Sequence, residues 1–149
     1  MKYKKKVFCA LMLIGMLVIT PLCYAETSIE KVKQETQDFL KTLSAYTVDQ
    51  RDEAVRRAKE SLDILDKRID VLEARFDESW DKMDTVAREK ARASLKELHK
   101  QRTQLAEWYG SMKSSTGDAW VHMKKGFSDT YRALNDAWGK SVKEFGFNK

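Results

Sequence analysis

The chain has 149 residues, of which 34% are charged, and its formal net charge is +5. This length fits one domain or an elongated helical assembly and excludes two ordinary domains. The first 25 residues carry four lysines and no acid, so the rest of the chain has 24 basic and 23 acidic residues. A segment so close to neutral lacks the basic patch that nucleic-acid binding needs, and no nucleic-acid partner is expected.

Residues 1–25 have the pattern of a secretory signal. A basic start precedes an apolar run from Val7 to Thr20, and Ala25 provides a small residue at the predicted cleavage point. The apolar run is short for a membrane span. We therefore expect cleavage after Ala25 and a periplasmic or secreted protein of residues 26–149, which form a single helical domain. An uncleaved segment that stays as a membrane anchor is the alternative.

The predicted mature chain contains neither cysteine nor proline, because Cys9, Cys23 and Pro21 all lie in the leader. Small exported domains usually rely on disulfides, so stability here must come from helix packing, oligomerisation or a partner surface. Thiol chemistry is excluded for the mature protein. The absence of proline and the abundance of Ala, Leu, Lys, Glu, Arg and Asp predict an all-α protein.

The spacing of apolar residues predicts three helices. The first covers about residues 28–46, with apolar residues at alternating gaps of three and four and Thr36 in one polar slot. The second covers about residues 47–110, begins at a capping box, and has the length of a coiled-coil helix, about 90 Å. Its apolar row continues through Ser79, Met83 and Val86 and then slips in phase near residues 86–94, so a bend or hairpin there is the alternative.

The third helix covers about residues 117–145 and follows a turn-like stretch from Gly110 to Gly117. We expect it to fold back antiparallel onto the second helix in an open bundle. Small residues such as Gly126 and Ala133 lie beside its aromatic stripe, where a partner helix could approach closely.

The middle helix carries a candidate self-association seam. Arg68 and Glu73 lie beside this seam at the g and e positions, which pair between copies in a parallel two-stranded coil. The pattern predicts parallel self-association over residues 55–86. The alternative is a seam covered by the first or third helix of the same chain. The apolar seam residues are Leu62, Leu65, Ile69, Leu72 and Phe76.

The third helix carries a second set of candidate interaction residues, an aromatic stripe with lysines around it. This arrangement is typical of a helix that lies on a membrane surface. The alternative is that the stripe packs against another helix. The stripe residues are Trp120, Phe127, Tyr131, Trp138 and Phe145.

Motifs of catalysis are not found in the sequence. There is no serine-centred elbow, phosphate-binding glycine loop or dinucleotide fingerprint. His99 and His122 are far apart and lack the further ligands that a zinc site needs. An acidic row on the middle helix, from Asp63 to Asp84, is interleaved with basic residues, and we expect it to be solvated. We therefore expect no enzyme activity, no cofactor and no metal.

One stretch of the third helix resembles a known family. Residues 119–127 contain the pattern A-W-x-x-M-K-x-G-F, which is similar to the C-terminal pattern of small bacterial coiled-coil proteins. Most of those proteins are uncharacterised, and some carry a stress-response label. The resemblance covers roughly residues 60–145. It implies an all-helical coiled-coil fold and assigns no catalytic residues.

These features predict an exported, non-enzymatic structural or interaction protein with a link to stress. It would act through coiled-coil association with itself or with another helical protein. Two alternatives stay open. One is a peripheral binder of lipid surfaces through the C-terminal helix, and the other is a holdase-like periplasmic chaperone that presents its seams to unfolded clients.

Overall fold

The structure, a computed structural model, describes residues 28–147 and is all-helical, with no strand in that range. The predicted leader and its cleavage point lie outside the described residues. No helix between residues 28 and 147 is both long enough and apolar enough to cross a membrane. The four helices are α1 (Ile29–Ala45), α2 (Arg51–Ser79), α3 (Thr85–Ser114) and α4 (Gly117–Glu144).

The all-α prediction is confirmed, but the prediction of one long middle helix is wrong. The chain leaves α2 through a short 3-10 turn, Trp80–Lys82, and Met83 then has extended backbone angles. Asp84 is the N-cap of α3, and its side chain accepts the Ala87 backbone N–H at 2.8 Å. Because a carboxylate satisfies an unpaired N–H at a helix start, this cap stabilises a new helix instead of a continued one.

Trp80 ties this turn to the first two turns of α3. Its carbonyl accepts a hydrogen bond from Arg88 Nε at 3.0 Å, and the guanidinium groups of Arg88 and Arg92 lie 5.3 and 4.8 Å from its ring centre. The observed break is therefore a hairpin. It lies a few residues before the phase slip near residues 86–94, and Val86, predicted in the apolar row, is 61% exposed.

The predicted turn at Gly110–Gly117 is shorter than expected. α3 continues through Gly110 to Ser114, and only Ser115 and Thr116 separate it from α4. A single glycine inside a helix costs about 1 kcal/mol relative to alanine. The buried Met112 in this last turn places further apolar surface in the core, which offsets that cost.

The helices form an up-down-up-down four-helix bundle. α1 runs antiparallel to α4, as Ile29 lies beside Gly139 and the Phe39 ring contacts the Tyr131 ring at 4.9 Å. α4 also folds back along α3, which forms the most extensive helix contact. The prediction that the C-terminal helix folds back onto the middle segment is confirmed, with α3 as its partner. α2 runs in the same direction as α4 and contacts it directly, since Arg68 lies beside Trp138 and Phe76 lies beside Phe145.

The core contains apolar side chains from all four helices. α2 provides seven of the buried apolar residues and α4 provides six, which include most of its aromatic stripe. Interiors of proteins are close-packed, so each of these side chains is constrained by several others. The largest fully buried side chains are Phe76, Phe127, Leu43, Leu65, Leu72, Leu98, Leu105, Met112, Leu134 and Val32.

Gly126 explains why α3 and α4 can approach closely. A Cβ atom added at Gly126 would lie 2.6 Å from ring carbons of Trp108, so the indole occupies the space that a side chain would fill. The predicted close approach at the small residues is thus confirmed at Gly126. It does not extend along the whole row, because Ala133 is exposed.

Gly110 of α3 and Gly126 of α4 should respond oppositely to substitution by alanine. Gly110→Ala has no atom within 4 Å to clash with and should raise the free energy of unfolding by about 0.5–1 kcal/mol. Gly126→Ala gains the same helix propensity but displaces the Trp108 ring, and should lower stability by about 1–3 kcal/mol. Urea denaturation measures both. Equal stabilisation by the two substitutions would contradict the packing of the Trp108 ring against Gly126.

Candidate interaction surface

The predicted seam lies inside the bundle. All five of its apolar residues are at most 3% exposed, and Phe76 packs edge-on against Phe145 with ring centres 4.6 Å apart. The alternative considered for this seam, coverage by other helices of the same chain, is therefore what the structure shows. A second copy cannot contact these side chains while the bundle is closed. The seam residues are Leu62, Leu65, Ile69, Leu72 and Phe76.

The charges beside the seam are also engaged within the chain. The Arg68 side chain is 11% exposed, and its guanidinium contacts the Glu35 carboxylate at 2.5 Å and the Asn135 side-chain oxygen at 3.3 Å. Glu73 contacts His99 of α3. These two groups were predicted to pair between copies, and the bundle uses them to join α2 to α1, α4 and α3 instead.

The aromatic stripe of α4 faces inward as well. Trp120 donates its indole N–H to the Tyr46 carbonyl at 3.1 Å, and Trp138 donates to the Arg68 carbonyl at 3.3 Å. Burial raises the pKa of the Tyr131 phenol. Phe127 is fully buried and Phe145 is partly buried. The stripe thus packs against other helices, and this bundle does not present it to a membrane surface.

Ionisable groups in the described part of the chain do not form a metal centre. No group of three or more His, Cys, Asp and Glu side chains there is arranged to hold an ion. Both histidines are exposed, with His99 on Glu73 and the His122 ring edge-on to Trp108 at 5.8 Å. A candidate binding surface in this part of the chain is therefore defined by its shape and its apolar side chains.

A groove with a partly apolar floor and a volume of about 730 Å³ lies between α1 and α4. It lies where the start of α1 passes the end of α4. Here Gly139 has no side chain, and a Cβ there would be 3.4 Å from Ile29. Its floor consists of Ile29, Val32, Thr36, Asn135, Trp138 and Gly139, and its rim of Glu30, Lys33, Arg132, Asp136, Lys140 and Lys143.

The rim of this α1–α4 groove is mainly cationic, with four basic and two acidic side chains. Lys33 lies 3.8 Å from Glu30, and Arg132 lies 3.7 Å from Asp129. Lys140 and Lys143 are exposed and form no ion pair with any residue of the described chain. A ligand with carboxylates beside an apolar surface would therefore meet complementary charge here.

Thr36 lies in the floor with its hydrogen-bonding capacity unused. The residue is 5% exposed, and its hydroxyl oxygen is buried without a hydrogen-bond partner. A buried hydroxyl without a partner costs about 1–3 kcal/mol.

No protein-family model, curated protein or solved structure matches this chain. The resemblance to small bacterial coiled-coil proteins therefore stays a prediction. The groove itself was not predicted from the sequence, because its two sides come from the first and last helices. Two local signals pointed towards it. These are Thr36 within the apolar row of α1, and Gly139 next to Trp138 in α4.

Arg68 should be the most important polar residue between helices. Arg68→Ala would leave the buried Asn135 oxygen unpaired and should lower the free energy of unfolding by about 1–3 kcal/mol. Glu35→Gln, at a side chain 46% exposed, should cost less than about 1 kcal/mol. Arg56 is a matched control, because it lies on the same helix and pairs only with exposed carboxylates.

Urea denaturation of Arg68→Ala, Glu35→Gln and Arg56→Ala measures these differences. If Arg68→Ala proved no more damaging than Arg56→Ala, then Arg68 would not join α2 to α1 and α4 in solution.

Proposed function

We propose that this protein is an exported, non-enzymatic interaction protein that associates with a helix of a partner through the α1–α4 groove. Export rests on the leader pattern of residues 1–25, and a link to stress rests on the family resemblance. The observation that carries the proposal is the groove, which combines an apolar floor with a cationic rim. The predicted seam of α2 and most of the aromatic stripe of α4 are buried in the core. We therefore propose helix binding at the groove in place of coiled-coil pairing through the seam.

The dimensions of the groove suit a helix of about three turns. Ile29 and Thr36 mark the two ends of the floor on α1 and are seven residues apart, which is about 10.5 Å along the helix. Helices that bind in grooves use anchors at positions i, i+3 or i+4, and i+7, and the last of these spacings is the same length. Two apolar anchors seven residues apart would therefore cover the floor.

Association through the buried seam would require the bundle to open, which costs much more free energy than binding at the groove. Exposing the five seam side chains, Leu62, Leu65, Ile69, Leu72 and Phe76, would forfeit about 1.5–3 kcal/mol each. The total approaches the whole stability of a typical domain, about 5–15 kcal/mol. The same cost applies to a lipid-surface binder or a holdase that used the α4 stripe. Binding at the groove needs no such opening, and this difference favours it.

The predicted association is weak and reversible. A three-turn helix in a groove buries less than the roughly 800 Å² per partner of a standard interface. Charged rim groups affect the rate of encounter and the orientation of the partner more than the affinity. A structural or stress-linked role then depends on local concentration, and the complex forms and dissociates readily.

Site-specific photo-crosslinking in intact cells tests the proposal. A photoreactive phenylalanine analogue at Lys33 or Lys143 places the probe on the rim, and the same analogue at Lys96 or Lys100 places it on the exposed side of α3. We expect a discrete crosslinked protein species from the two rim positions and none from the control positions. Equal crosslinking from both pairs, or none from the rim, would contradict helix binding at the groove.

A further inference from the structure

The outer side of α2 is an exposed amphipathic surface that its own bundle leaves uncovered. Ile64 and Val71 are 48% and 45% exposed, and they lie seven residues apart on one line of the helix. They are two of the four large apolar residues that are exposed in the described chain; the other two, Val86 and Val121, lie singly at the starts of α3 and α4. We name Ile64 and Val71 with the exposed residues around them, from Glu60 to Glu78, the α2 ridge.

The α2 ridge is strongly acidic. Its exposed residues include five carboxylates, and Lys67 is its one basic residue. Two of the carboxylates are paired along the helix, Glu60 with Arg56 and Asp63 with Lys59. The other three have no ion-pair partner between residues 28 and 147, so they can be neutralised by a surface brought from outside. These three are Asp70, Asp77 and Glu78.

The α2 ridge and the α1–α4 groove are complementary in spacing, polarity and charge. The two apolar residues of the ridge have the i, i+7 spacing that covers a floor seven residues long. Unpaired carboxylates on the ridge match Lys140 and Lys143, which are unpaired on the rim. The ridge thus provides apolar side chains and carboxylates, and the groove provides an apolar floor and lysines. Both surfaces occur on every copy of the chain.

We propose that the occupant of the groove is the α2 ridge of a second copy of this chain. This inference rests on the proposed function, since it names the partner of the same groove. Ile64 and Val71 of one copy lie on the floor of the next, and the acidic residues around them face Lys140 and Lys143. Because the ridge and the groove are different surfaces, the contact is head-to-tail, and repetition produces a ring or an open chain of copies.

Complementation between two variants tests this directly. Ile64→Lys with Val71→Lys disables the ridge and leaves the groove intact, whereas Lys140→Glu with Lys143→Glu disables the groove and leaves the ridge intact. All four residues are exposed, so circular dichroism should show folded proteins. The proteins are purified from cells that express the entire chain, and their masses are measured by sedimentation equilibrium.

The expected result is specific to a head-to-tail contact. The unmodified protein should form species larger than a dimer as its concentration rises, and each variant alone should associate at least about tenfold more weakly. An equimolar mixture should form a one-to-one dimer and nothing larger, because only one ridge and one groove remain complementary. Val86→Lys with Val121→Lys, which changes the two isolated exposed valines, should associate like the unmodified protein.

Three results would overturn the inference: a monomer at every concentration of the unmodified protein, unchanged self-association of either variant, or no dimer in the mixture. The photo-crosslinking experiment separates this failure from failure of the proposed function. Rim crosslinks to a different protein, together with a monomeric chain, would reject the second copy and leave helix binding at the groove. Absence of rim crosslinks would reject both.

Discussion

Asp84 and the turn before it determine which surfaces of the chain meet. The Asp84 side chain accepts the Ala87 N–H at 2.8 Å and starts α3 in a new direction, while Trp80 is held by the guanidinium groups of Arg88 and Arg92. Without this reversal, residues 51–114 would form one rod with an exposed apolar seam. With it, α2 packs antiparallel to α3, and the seam has a partner inside its own chain.

This intramolecular pairing explains how residues 28–147, which contain neither cysteine nor proline, can be held together by helix packing. The rows of apolar residues predicted from the sequence are covered by other helices except at Val86, and the charges beside the seam bind across helices instead of between copies. Arg68 shows the principle most clearly, since it contacts both Glu35 of α1 and Asn135 of α4. The surfaces left for association are the α1–α4 groove and the outer side of α2.

Much of the fold could be predicted from the sequence because helices and their buried faces follow from local spacing. The capping box at Thr47 was located correctly, although α2 itself begins at Arg51, and α4 begins at Gly117 as predicted. Nearly all residues of the predicted α4 stripe are buried. One continuous middle helix was predicted, and the hairpin was only the alternative, placed a few residues late. Alternating gaps of three and four continued across residues 79–86, and Asp84 was assigned to an acidic row when it is a cap.

The candidate site was harder to predict because it depends on which helices become neighbours. Periodicity identifies a buried face but not the element that covers it, so Leu62 and Phe76 could equally have met another copy. The groove combines Thr36 with Gly139 from opposite ends of the described chain. Only the closed bundle brings these two residues together.

The distance between α2 and α3 in solution tests the closed bundle most directly. Residues 26–149 contain no cysteine, so spin labels at Lys67→Cys and Lys100→Cys are unambiguous once Cys9 and Cys23 are replaced by serine. Asp66 and Arg102 are in contact at 2.8 Å in the structure, so pulsed electron paramagnetic resonance should give a label separation below about 25 Å, given an interaxial distance of about 8–10 Å between packed helices. A continuous helix would separate the labels by about 50 Å, and that result would contradict the account.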